Sequence, residues 1–319
     1  MLMKYNHKTM EDSVVDLWND TLIYDAITKD KFRKNIIFDE NFDNDLCCVY
    51  LIDNAVVGFI LGMKRKFPYL ERGLEEDKAW ISIVFVKETY QRQGIGTLLL
   101  KEIEKRLKDK GTKTIFLANY SPSYFLAGLD KKHYPSSISF FEKNGYIEVD
   151  NHYSMGRSIH GFKMSDRVLK LKNQFENNGY KFKNFDYRYS LDVLEFLKRE
   201  FGGGWKRNAL LAMQNNTAED VICIVLNKND EVCGVSNRAI DGNNNRFGPI
   251  GISKKERNNG LGSVLLEFSM YEMFRRNIYY MYFMTTDELG KKYYERLGLK
   301  LIRTYTTYKK ELQSTLKNT

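Results

Sequence analysis

The chain has 319 residues, enough for two domains of ordinary size, and its 43% hydrophobic content, with 21 Tyr and 20 Phe, suffices for two cores. The formal charge of +9 comes from Lys and Arg scattered among Asp and Glu, with no long basic run. That pattern argues against a nucleic-acid partner and for solvated faces with a local excess able to attract a phosphorylated cofactor. No apolar run reaches the roughly 18 residues of a membrane span, so no membrane partner is expected. The first residues turn polar and acidic without the apolar stretch of a secretory signal, and a cytoplasmic location is expected.

In chain order, a helical pattern around Val14, Val15, Leu17 and Trp18 comes first. Residues 46–62 then read as a β-hairpin about Asp53-Asn54. A charged loop leads to a strand at 80–86, a glycine turn, and a helix from about Thr97 to Lys110 that stops at Gly111. Residues 112–120 are the next strand, and 137–149 a short helix, a turn at Asn144-Gly145 and a strand. A helix and a strand are expected between Arg157 and Tyr187. The order then repeats: helix 190–201, hairpin 221–240, strand 246–252, glycine turn, helix 263–276, strand 278–286, and a helix, turn and strand over 291–305. Cys47, Cys48, Cys223 and Cys233 show neither metal-ligand spacing nor a disulfide framework, so they read as small buried apolar residues and no metal is expected.

The two glycine turns carry the chemistry. Gln91-Arg92-Gln93-Gly94-Ile95-Gly96 and Arg257-Asn258-Asn259-Gly260-Leu261-Gly262 each sit between a strand and a helix. The dinucleotide fingerprint needs a third glycine where Leu99 and Leu265 stand, and the Gly-Lys-Ser/Thr end of a P-loop is absent. What remains is a loop whose glycines let backbone N–H groups approach a pyrophosphate at a helix N-terminus. Two copies predict two similar domains, 1–160 and 161–319, each shaped around a phosphate-bearing cofactor.

These motifs resemble those of the GNAT acetyltransferase superfamily, and Phe140-Phe141-Glu142-Lys143-Asn144-Gly145-Tyr146 and Tyr293-Tyr294-Glu295-Arg296-Leu297-Gly298-Leu299 resemble its last helix-turn-strand. The resemblance implies an α/β fold of two tandem GNAT domains, each a mixed, mostly antiparallel sheet splayed at its centre and flanked by helices. It also implies acetyl-CoA as cofactor, with pyrophosphate on the glycine loop and pantetheine between two central strands. The residues so implied are Val86, Gln91, Arg92, Gln93, Gly94, Ile95, Gly96 and Thr97 in the first half. In the second they are Ile250, Gly251, Ile252, Arg257, Asn258, Asn259, Gly260, Leu261, Gly262 and Ser263.

Segments 201–205, 246–252 and 127–135 resemble bacterial tandem members, whose best-matching described activity is N-acetylation of glucosamine. The expected acceptor is therefore a small-molecule primary amine, an amino sugar or else an aminoglycoside, polyamine or thiol-cofactor precursor. A non-catalytic acyl-CoA-binding module is the rival reading. Tyr294 stands where the family places the acid for the departing thiolate, and the first half has Phe141 there, so the C-terminal half is expected to be the catalyst. Asp287 and Asp241 are candidate bases, with a helix cap and a turn as their structural alternatives. Trp205, Phe247 and Asp287 are candidate substrate contacts. Asp130 and His133 lie in an insertion of the first half. A monomer or a homodimer is compatible with all of this.

Overall fold

A computed structural model describes residues 1–123 and 125–312. The chain opens with β1 (Leu2–Lys4), which pairs antiparallel with β2 (Cys47–Ile52). Between them runs α1 (His7–Thr21), started by the Asn6 side chain, which accepts the Lys8 N–H. Its buried face is Val14, Val15, Leu17 and Trp18. A short α2 (Lys29–Phe32) follows. β2 turns into β3 (Ala55–Met63) through Asp53 and Asn54, both at positive φ, as a two-residue hairpin requires. β4 (Lys78–Val86) continues antiparallel, and a register shift leaves Ser82 without a partner opposite Leu61 and Gly62. α3 (Ile95–Asp109) buries Ile95, Leu99, Leu100, Ile103 and Leu107 in a core with Ala79, Ile81, Ile115 and Leu117. It leads to β5 (Thr114–Leu117), parallel to β4 only as far as Ile81 and Leu117. α4 (Pro135–Lys143) and β6 (Ile147–Ser158) close the first half.

The second half begins with α5 (Asp166–Asn177), capped by Ser165, and β7 (Lys181–Asn184). Then come α6 (Ser190–Phe201), α7 (Gly203–Gln214), α8 (Ala218–Val221), β8 (Ile222–Leu226) and β9 (Val232–Arg238). β10 (Phe247–Ile252), α9 (Leu261–Arg275), β11 (Tyr280–Phe283), α10 (Glu288–Arg296) and β12 (Lys300–Glu311) repeat the earlier order. β10-β9-β8-β7 form an antiparallel sheet with a register break at Gly248-Pro249. α6 and α7 pack Val193, Phe196, Leu197, Ala209 and Met213 on Ile222, Ile224 and Val235. The four cysteines are free and buried. Burial pushes the thiols of Cys223 up to about 11 and Cys233 up to about 12, which makes them inert at neutral pH.

Packing divides the chain into Met1–Tyr153 with the chain from Arg303 onward, and Ser154–Ile302. The repeat predicts 1–160 and 161–319, and the difference lies in the last strand of each half. β6 leaves the first unit and pairs with β11 from Met155 to Ser158. β12 leaves the second unit and pairs with β5, Lys309 opposite Phe116 and Glu311 opposite Thr114. Arg303 anchors β12 in the first unit: its guanidinium bonds both oxygens of Asp25 at 2.6 and 2.9 Å and donates through Nε to Asp130.

Candidate active site

Each unit presents a glycine turn at the start of a long helix, beside two strands that part. In the first, Gly94 takes φ 85° as the residue before α3. Gln91 Nε2 bonds the Val86 carbonyl at 2.9 Å and ties the turn to the end of β4. The N–H groups from Arg92 to Thr97 have no acceptor among the described residues. They form a row of donors at a helix N-terminus, the arrangement that suits a diphosphate. Gly94 is open, since a Cβ there would meet nothing within 4 Å.

The second turn repeats the design with differences. Gly260 takes φ 91°, and Arg257 Nε bonds the Ile252 carbonyl at 3.2 Å, the counterpart of Gln91. The N–H groups of Asn258, Asn259, Gly260 and Gly262 lack acceptors among the described residues. That of Leu261 is taken by Asn259 Oδ1 at 3.1 Å, and that of Ser263 by the Gly260 carbonyl. Leu171 of α5 packs against this turn, with Cδ2 2.5 Å from where a Gly260 Cβ would stand. Ile252 and Ser263 are buried, Ile250 and Gly251 half-buried, and the Phe201 ring lies 2.3 Å from a would-be Gly251 Cβ.

The strands beside this turn also part. Arg246, just before β10, makes an isolated parallel bridge with Tyr282 of β11, and no further pairing of β10 with β11 is present among the described residues. α10 lies alongside and brings two tyrosines. The Tyr293 hydroxyl reaches Ser263 Oγ at 3.4 Å, at the start of α9. The Tyr294 ring packs on Phe283, centroids 4.6 Å apart, in a core with Phe247, Leu266 and Met281. Its hydroxyl has no hydrogen-bond partner among the described residues. Burial first, then the neighbouring Tyr293 and Asp287, raises the Tyr294 phenol well above its ordinary value. It therefore holds its proton at neutral pH. In the first unit Phe140 occupies the place of Tyr293, its ring 3.3 Å from a would-be Gly96 Cβ, and Phe141 is buried in the core.

The other sequence candidates fall out unevenly. Asp287 caps α10, its Oδ1 accepting the Gly290 N–H at 2.7 Å. Asp241 is exposed in a turn, accepts the Asn243 N–H and lies 3.9 Å from Arg246. Trp205 stacks on Phe201, centroids 4.2 Å apart and planes at 17°. Phe247 is corrected: it is 2% exposed and packed in the core, so it has no face to offer a substrate. Tyr293 and Leu171 were not legible as site residues. Tyr293 differs from Tyr294 only by its phase on the helix, and Leu171 depends on a tertiary contact.

Residues 12–128 match the model of the Acetyltransferase (GNAT) family. The whole chain has the fold of tandem GNAT proteins. It is similar to a glucosamine N-acetyltransferase region of a fungal multi-domain β-N-acetylglucosaminidase, at 17% identity and TM-score 0.78 over 97% of this chain. The chain spans 38% of that larger protein. A GCN5-related N-acetyltransferase from Sphaerobacter thermophilus matches at 12% identity and TM-score 0.69, covering 98% of this chain and 96% of the other. A tandem GNAT protein from the clavulanic acid biosynthesis pathway matches at 12% and 0.65, covering 99% of both. No curated sequence relative matches the chain. Among the described residues no helix is long and apolar enough to cross a membrane.

Proposed function

We propose that this protein is an acetyl-CoA-dependent N-acetyltransferase that acts on the primary amine of a small molecule, glucosamine or a related amino sugar, with transfer in the second unit. The observation that carries the reading is the half-buried Tyr294 phenol, without a hydrogen-bond partner among the described residues, on the helix whose Tyr293 touches the second glycine turn, where the first unit has Phe141. The donor rows at both turns fit a diphosphate, which supports acetyl-CoA; when bound, it supplies an acyl thioester whose sulfur leaves as thiolate. Asn259, Gly260 and Gly262 would hold the diphosphate through backbone N–H groups. In this reading Tyr294 donates its proton to the departing sulfur. Asp287 and Asp241 are candidates to accept the amine's proton through water, with Asp287 keeping one oxygen on its cap. The amino-sugar acceptor is supported by the name of the fungal structural neighbour.

The test is thiol release from acetyl-CoA with glucosamine, an aminoglycoside and a polyamine, for the native protein and Tyr294→Phe. Turnover with glucosamine that collapses in the variant supports the reading. Turnover with only the other amines removes the amino sugar, and coenzyme A binding without any turnover makes the protein an acyl-CoA-binding module.

A further inference from the structure

We propose that the first unit carries an amine-acceptor site of its own, in which His133 takes the proton of the incoming amine. His133 Nδ1 stands 2.7 Å from Asp130 Oδ2 just before α4. The Asp130 side chain is 1% exposed and also accepts the N–H groups of Lys132 and His133 and the Nε–H of Arg303. A buried carboxylate paired in this way fixes the tautomer with the proton on Nδ1. Nε2 then holds a lone pair, and it has no partner among the described residues. Tyr24 packs against the ring, centroids 4.3 Å apart, while the His133 side chain stays 22% exposed.

Two further observations point the same way. Ser82 Oγ, at the register break in β4, is buried and has no partner among the described residues, an orphan polar atom that calls for an explanation. The first glycine turn is the more open of the two: no side chain covers Gly94, and the N–H groups from Arg92 to Thr97 are unspent. α4 connects the parts in the chain, since its Phe140 touches the turn at Gly96 and His133 stands two residues before its first residue, Pro135.

The chemistry closes without a phenol. The amine's N–H bond breaks toward His133 Nε2, and the nitrogen lone pair forms a C–N bond to the carbonyl carbon of an acyl thioester. The C–S bond breaks with its electron pair on sulfur, and the proton on Nε2 passes to that sulfur. Amide, thiol and neutral imidazole result. Phe141 is then no deficiency. The inference shares with the proposed function only the thioester donor.

The test has two arms. Four histidines make the imidazole resonances assignable, and glucosamine or spermidine alone, without thioester, should shift the His133 signals saturably and leave His152 and His160 unmoved. Glucose, which lacks the amine, should shift none. In the second arm, His133→Asn, which keeps a donor toward Asp130, is placed in the native and Tyr294→Phe proteins. Turnover remaining in Tyr294→Phe should fall at least about 10²-fold on adding His133→Asn. No resonance shift with either amine, or residual turnover indifferent to His133→Asn, overturns the proposal. If Tyr294→Phe has no effect while His133→Asn abolishes turnover, transfer in the second unit fails and this inference stands.

Discussion

Arg303→Met removes the cation that joins three distant parts of the chain in one unit, and the loss can be sized. The side chains of Arg303, Asp25 and Asp130 are 13%, 14% and 1% exposed. Removing one partner of a buried pair leaves uncompensated charge and costs about 3–5 kcal/mol. In a unit of this size each kcal/mol moves the midpoint by about 2–4 °C, so the first unit should melt roughly 6–20 °C lower. Calorimetry of the full chain checks it, with Asp25→Asn and the double variant completing a cycle whose energies should not add. The acid limb has a definite sign. Burial alone would raise the Asp130 carboxyl, yet the bonds from His133 and Arg303 more than offset it and hold the carboxyl below its ordinary value. A depressed folded value contributes stability above the unfolded value, about pH 3.9, and that stability is lost as pH falls through the folded value. The native protein should therefore weaken below about pH 4, and Arg303→Met should show a shallower loss there. A variant that melts within about 2 °C of native at neutral pH would refute the reasoning.

Three other outcomes are expected. Tyr294→Phe keeps the ring on Phe283 and deletes a hydroxyl without a partner, so turnover should drop roughly 10²–10⁴-fold while the melting point holds or rises slightly; equal losses in both would mark a packing role. Gly128→Ala would bring a Cβ 2.6 Å from the Thr306 carbonyl oxygen, so the backbone seat of β12 should be lost at a cost of about 1–3 kcal/mol, read by urea titration. Gly96→Asp and Gly262→Asp place a carboxylate beside the two donor rows, where the nearest atoms to a Cβ are those of Phe140 at 3.3 Å and Tyr293 at 3.5 Å. Each should abolish one class of coenzyme A site in calorimetry, and undiminished turnover in Gly262→Asp would remove the second turn from the reaction.

The parts of the fold legible in the sequence are those with local physics. Asp53-Asn54 between β-rich runs forces a hairpin, and both glycine turns announce a strand-to-helix change because only glycine sits easily at φ near 85–91°. Helix α3 begins at Ile95, two residues before the expected start, because Gly94 itself is the residue before its first turn. Helix α7 is hidden behind Gly202-Gly203-Gly204, a start that reads as a loop. The exchange of β6 and β12 is invisible because strand pairing is chosen by partners far away in sequence. Phe247 was misplaced for a related reason: an aromatic at a strand edge looks alike whether it faces a cleft or the core. Leu171 over Gly260, and the orphan Ser82 hydroxyl, required the assembled chain.

The placement of β12 sets a schedule for synthesis. The first unit waits for the second neighbour of β5 until residue 311 has been translated, 158 residues after Tyr153 (311 − 153). At about 5–20 residues per second, that leaves β5 as a bare edge on the ribosome for about 8–30 s. Nascent protein of this kind should lean on chaperones for its amino-terminal portion, although that portion is made first.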